Sequence, residues 1–207
     1  MSDSTRNHAS STSLADLFRS SYREFRSTKM LVTMGLFMAL CIVLSHFTIR
    51  TPIFYISFTS LANMYLALLV GPIAGAIFGV ASDLLKFAIN SGGTTFFPGY
   101  TFTEALGFFI YGMFFYKQKI TFKRVLCAKF VAIVICNVLF GTLWLAILSG
   151  VNIADYFRLY MPVRLTKNLI QWPVDSIIFC SLAGIFARAG VTRMMASPTF
   201  EISKPTT

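Results

Sequence analysis

The sequence predicts an all-α membrane protein, a bundle of six transmembrane helices with both termini in the cytoplasm. Three observations predict it. Composition names the solvent: of 207 residues, 56% are hydrophobic, 22 are Phe and only 13% are charged, with a mean hydropathy of +0.69. A water-soluble domain carries about 25% charged residues, so this chain has too little polar surface to clothe its apolar residues in water. Those apolar residues gather in runs approaching the ~20 that cross a bilayer as a helix. The formal charge of +10 clusters at the ends of these runs, the pattern that orients a membrane protein.

Residues 1–28 are rich in Ser and Thr. They lack the apolar centre of a signal peptide, so a flexible cytoplasmic tail is expected, with a short amphipathic helix over 14–25. Arg6, Arg19, Arg23, Arg26 and Lys29 precede the first apolar run, 30–47. The next interval, 56–89, is too long for one upright span and short for two, and Gly71-Pro72 interrupts it near the middle. Charge decides between the two counts. Read as one helix, the interval would put Lys117, Lys119, Lys123 and Arg124 outside, against the positive-inside rule. Read as two helices turning at Gly71-Pro72, it brings that loop and both tails to one side. Runs at 100–116, 125–148 and 169–189 complete six spans, Arg188 ends the last of them, and Arg193 and Lys204 lie in a tail over 191–207. The membrane domain is thus expected over 29–190. Outer loops then fall at roughly 48–56, 90–99 and 149–168, with turn chemistry at Thr51-Pro52, at the Asn90-Ser-Gly-Gly run and at Pro98-Gly99. They are longer than the inner turns and hold aromatics and amides, so a binding site is expected to open outward.

Several classes are set aside by the same reading. No basic patch interleaves with a soluble surface, so the charge does not point to nucleic acid. Cys41, Cys127, Cys136 and Cys180 sit in or beside apolar runs without metal-type spacing, and His8 and His46 are isolated. No metal or cofactor is expected. Phosphate-loop, HExxH and Gly-x-Ser-x-Gly motifs are absent from the sequence, so no enzyme is expected, and active transport would draw on a partner or an ion gradient.

Ionisable residues at membrane depth are costly and raise a functional hypothesis by default. Asp83, Lys86, Glu104 and Asp175 all fall in the outer half of the six-span arrangement. Each has a structural reading beside the functional one. Asp83 and Lys86, three apart on a helix face, would neutralise each other or meet a ligand. Glu104 is an interfacial carboxylate favoured by a helix N-terminus, or a ligand-facing one. Asp175 pairs with a neighbouring helix or acts in the site. Asn137 and Trp144, seven apart, share a face, and Asn168, Gln171 and Trp172 open the last span; aromatics at such depths also form interfacial belts. What joins these residues is convergence on one half of the bilayer. The candidate lining is Arg50, Lys86, Asn90, Phe97, Tyr100, Glu104, Asn137, Trp144, Arg164, Lys167, Asn168 and Gln171. It suits a planar heteroaromatic ligand with an anionic tail: rings stack on aromatics, a carboxylate or amide reads paired N–H donors, and Arg50, Arg164 or Lys167 takes carboxylates. Gly35 and Ala39 form a small-xxx-small pair in the first span, open to a partner helix or to internal packing. Ala74, Gly75, Ala76 and Gly79 offer a second small-residue face, expected within the bundle.

The first-span pair, the Gly71-Pro72 turn, the Ala81-Ser-Asp-Leu-Leu stretch and above all Phe97-Pro-Gly-Tyr-Thr-Phe-Thr-Glu-Ala-Leu-Gly-Phe-Phe-Ile-Tyr-Gly resemble the substrate-binding S components of energy-coupling factor (ECF) transporters. The likeness covers 28–190 and is nearest to the folate-specific S component, most specifically from Phe97 to Glu104 and at Tyr111-Gly112. The first-span pair is Gly-x-x-x-Ala where the family usually has Ala-x-x-x-Ala, and Gly permits an even closer approach. The resemblance implies a six-helix bundle in the bacterial plasma membrane that binds folate or a related vitamin from outside and topples to release it inside. It also implies a transmembrane coupling protein and two cytoplasmic ATPase subunits as partners. On this reading Glu104, Asn137 or Gln171 would meet the pterin edge, Phe97, Tyr100 and Trp144 the rings, and Arg50, Arg164 or Lys167 the tail. Three alternatives stay open: an S component for riboflavin, pantothenate or a queuosine precursor; a membrane-embedded enzyme using Asp83, Glu104 and Asp175; and a structural membrane protein without a ligand.

Overall fold

The computed structural model describes residues 27–188 apart from 47–48, 51–54, 57, 90–94, 117, 119 and 151. The expected tails, except residues 27 and 28, and the candidate Asn90 lie outside the described residues.

Helix α1 (Thr28–His46) is apolar almost all round, as a lipid-embedded helix is. Met30, Met34, Phe37 and Cys41 form its buried stripe, while Leu31, Val32, Leu36, Leu40 and Val43 face outward. A short antiparallel ladder follows, β1 (Ile49–Arg50) against β2 (Tyr55–Ile56), with Ile49 opposite Ile56 and Arg50 opposite Tyr55.

Helix α2 (Phe58–Ile89) is two helices joined at Gly71, whose φ of 80° and ψ of −176° are non-helical. That backbone region is essentially reserved to glycine, and Pro72 next to it cannot donate to the preceding turn. The expected break is therefore present at the expected residue. Leu66, Leu68, Leu69 and Val70, in the first half, are buried in the core.

Helix α3 (Pro98–Phe115) opens with Pro98 at its first helical position, where a missing N–H costs nothing. Pro98-Gly99, expected as a turn, is thus the start of a helix. Helices α2 and α3 share the largest interface among the described elements. A Cβ on Gly112 would lie 2.6 Å from the backbone of Pro72, and one on Gly79 would lie 2.9 Å from the Cα of Ala105. The small-residue face around Gly75 and Gly79 serves packing within the bundle, against Ala105 and Phe108.

Helix α4 (Phe122–Ala132), a π-helical stretch (Ile133–Phe140) and helix α5 (Gly141–Ser149) run on continuously. The Gly141 N–H donates to the Cys136 carbonyl five residues back, the widened turn that defines π geometry. Gly150, left-handed at φ 64°, ends the rod.

Helix α6 (Ile153–Arg188) has 36 residues. Asn152 Oδ1 accepts from the Ala154 N–H at 3.3 Å, capping its start. The expected outer loop over 149–168 is therefore corrected: from Ile153 onward it is helix. Polarity had marked the segment as outside the hydrocarbon, but Arg, Leu, Met and Lys are good helix formers, and Pro162 is absorbed within the helix.

Among the described residues, four helical stretches are long and apolar enough to cross a membrane: Thr28–Ser45, Thr59–Ile89, Phe122–Ser149 and Tyr160–Phe186. Tyr111, Phe115 and Phe179 stack in sequence, with ring centroids 6.0 and 5.3 Å apart, and tie α3 to α6 through the core.

Candidate functional site

A cavity of about 680 Å³ opens between α2, α3, the α4–α5 rod and α6, within the roughly 300–1,000 Å³ of small-molecule sites. Its lining is polar for a membrane interior. It brings together Ser45, Thr59, Ser60, Asn63, Asp83 and Lys86 with Thr103, Glu104, Tyr111, Lys129, Cys136, Asn137, Lys167, Asn168 and Gln171. Three lysines and two carboxylates stand in that lining, and a third carboxylate, Asp175, pairs with Lys129 behind it, so acidic and basic groups balance.

Glu104 is the best-supported group on the wall. Its Oε1 accepts from Asn63 Nδ2 at 3.0 Å and from Lys86 Nζ at 3.0 Å. Cys41 Sγ donates to Asn63 Oδ1 at 3.2 Å, so Asn63 is engaged at both ends of its amide. Oε2 makes no hydrogen bond to a described residue, and Glu104 is part of the cavity lining. Lys86 thus turns to Glu104 across the helix interface, while Asp83, one of its two expected partners beside a ligand, accepts from Thr101 Oγ1 at 2.6 Å. The reason is packing: α3 lies close enough over the glycines of α2 to bring its own polar groups within reach.

At the opposite wall, Lys129 Nζ lies 2.9 Å from Asp175 Oδ2 and donates to Ser60 Oγ at 2.6 Å. Both members of the ion pair are nearly sealed from solvent, at 5% and 1% exposure. Gln171 Nε2 donates to the same Asp175 oxygen at 3.3 Å. Asp175 therefore does pair with a neighbouring helix, one of its two expected roles.

Of the candidate residues, Lys86, Glu104, Asn137, Lys167, Asn168 and Gln171 line the cavity. Phe97, Tyr100 and Trp144 stand beside it. The ring of Phe97 lies 5.9 Å from that of Tyr100 and 5.5 Å from that of Trp144, and Trp144 Nε1 donates to the lining residue Thr103 at 2.8 Å. Gly99 leaves room for this cluster, since a Cβ there would collide with the Phe97 ring and come within 2.7 Å of Trp144. Arg50 lies in β1 and Arg164 in α6, but their side chains, like Asn90 as a whole, are outside the described set. In α1, Gly35 and Ala39 are exposed, with nothing within 4 Å of where a Gly35 Cβ would stand.

Lys129, Asn63, Ser60 and Thr103 were not singled out from sequence. Lys129 carried a readable signal: it is the sole charged residue in the run 125–148, and the cost of a charge at membrane depth applies to it as to Asp83.

Comparison with known proteins identifies the scaffold. Residues 29–183 match the family model described as "ECF transporter, substrate-specific component". The folate transporter FolT of Clostridium novyi (strain NT) is 34% identical over 154 residues, covering 74% of this chain and 87% of that protein. The FolT of Leuconostoc mesenteroides subsp. mesenteroides is 28% identical over 151 residues, covering 72% and 80%. A crystal structure of FolT bound with folic acid superposes with a TM-score of 0.68 at 32% identity, over 77% of this chain and 95% of that one. The chain therefore belongs to the substrate-specific components of ECF transporters, a family of membrane transport subunits rather than enzymes.

Proposed function

We propose that this protein is the folate-binding S component of a bacterial ECF importer, capturing folate from outside the plasma membrane and delivering it inward with a coupling protein and two ATPase subunits. The carrying observation is Glu104, anchored through Oε1 by Asn63 and Lys86 with Oε2 turned free. A pterin presents adjacent ring N–H and amino donors along one edge, and a carboxylate held in place is their natural acceptor. The relatives named as folate transporters, and the neighbour that holds folic acid, support this choice of ligand over other vitamins. Lys167 and Asn168, together with Arg50 and Arg164, are suited to the glutamate tail; Asn137 is suited to the ring edge; and the Phe97, Tyr100 and Trp144 cluster shapes the wall against which the rings pack.

The membrane arrangement follows. Counting α2 as two spans at Gly71 turns the four long apolar stretches into five. Helix α3, at 18 residues, reaches about 27 Å and adds the sixth, close to the ~30 Å hydrocarbon thickness. Six spans would bring both tails (1–28 and 191–207) and the 117–124 loop to one side of a membrane domain at 29–190, and the positive-inside rule favours the cytoplasm for that side.

Titrating folate into purified protein by calorimetry tests the reading. Glu104→Ala should weaken binding by roughly ten- to a hundredfold, the worth of a charge-assisted hydrogen bond. Unchanged affinity would remove Glu104 from the site, and tight binding of a different vitamin would keep the family and change the substrate.

A further inference from the structure

The ion pair behind the cavity sets the polarity of a side chain in front of it. Gln171 lines the cavity, and its amide has a donor end and an acceptor end whose placement decides what a ligand meets. Asp175 removes the ambiguity. Gln171 and Asp175 are four apart on α6, where Gln and Asp side chains meet, and an ionised carboxylate only accepts. The amide end 3.3 Å from Asp175 Oδ2 must therefore be Nε2. Asp175 is held in turn by Lys129 at 2.9 Å, and Lys129 by Ser60 at 2.6 Å. The carboxylate is 1% exposed, so water does not compete for it.

With Nε2 committed, Gln171 presents Oε1, which makes no hydrogen bond to a described residue. We infer that Asp175 and Lys129 are positioning residues that fix Gln171 as a hydrogen-bond acceptor toward the ligand. The site would then read N–H donors from two walls, with Glu104 Oε2 on α3 and Gln171 Oε1 on α6. A ring with acceptors at the Gln171 wall would face oxygen against lone pair and be rejected, so the ion pair acts as a specificity device although it touches no ligand. This inference rests on the folate reading above.

A double-mutant cycle tests it, because a residue that acts only through another has no effect once that other is gone. Folate affinity is measured by calorimetry on the full-length protein for wild type, Gln171→Met, Asp175→Asn and the double variant, with a folding check by gel filtration. Asp175→Asn supplies an amide that can donate, so Gln171 is free to turn its own Nε2 to the cavity. Each single variant should lose roughly tenfold in affinity, one hydrogen bond's worth. In the Gln171→Met background, Asp175→Asn should cost less than about twofold more. Additive losses would mean that Asp175 supports the bundle and not the Gln171 amide, overturning the inference. So would unchanged affinity in Gln171→Met, a substitution on the cavity surface that is readable even if Asp175→Asn fails to fold. A wild-type protein that binds no folate removes the folate reading itself, and this inference with it.

Discussion

Lys129 shows how a charge survives inside an apolar bundle. Its ammonium has three protons, and Asp175 and Ser60 take two of them within 2.9 Å. Removing one member of a buried pair leaves the other uncompensated, which costs about 3–5 kcal/mol, whereas removing both can be neutral. Lys129→Met should therefore destabilise strongly, and Lys129→Met combined with Asp175→Leu should recover most of the loss. Chemical unfolding in detergent checks this, and a double variant no more stable than the single would refute it. Glu104 behaves differently, since it lines an open cavity and is held by two neutralising or donating groups. Its presence among candidate site residues was legible because a carboxylate inside an apolar helix needs a reason. The same logic reached Asp83 and Asp175 but not which partner each takes. Helical spacing lets Lys86 neutralise Asp83 or meet a ligand, yet it bonds to Glu104, because the choice lies in how two helices sit on each other.

At the scale of elements, backbone chemistry was the most readable feature and depth the least. Gly71-Pro72 announced its break, and the break is there, with φ 80° at Gly71. Substituting Gly71→Ala should cost about 1–3 kcal/mol, the usual price of forcing a side chain into that backbone region, seen as a lower unfolding midpoint in detergent. The consequence of the break was not legible. Gly112 of α3 packs against it so closely that a Cβ would stand 2.6 Å from Pro72 N, and backbone cannot step aside as a side chain can. Gly112→Ala should therefore destabilise by about 1–3 kcal/mol through overpacking and weaken folate binding, because the same helix carries Glu104. Calorimetry on the variant would show normal affinity if α3 keeps its seat. The start of α6 was misread for a different reason. Hydropathy reports polarity and not backbone conformation, and the polar segment from Ile153 is helical. The π-helical stretch at Ile133–Phe140 left no sequence mark either, since its residues are those of an ordinary apolar helix.

The whole molecule turns the usual protein inside out: a polar cavity at the centre and apolar side chains such as Leu36, Leu139 and Ile177 exposed at the periphery. Lipid satisfies that periphery, so an exposed apolar residue needs no partner here; an exposed small residue is the more informative one. Gly35 has no neighbour within 4 Å of where its Cβ would stand, and Ala39, one turn on, is exposed as well. The face does not serve the packing of this chain among its described residues, and a flat strip of this kind lets another helix approach closely. Under the proposed function that helix would belong to the coupling protein. Gly35→Leu separates the two activities the subunit must combine. The new side chain meets nothing within the chain, and leucine is a better helix former than glycine by up to about 1 kcal/mol, so stability and folate affinity should hold. Docking should fail, and folate uptake by cells expressing the complete transporter should fall to background. Uptake at the wild-type rate would place the coupling surface elsewhere, while a parallel loss of folate binding would show that α1 shapes the cavity as well as the contact.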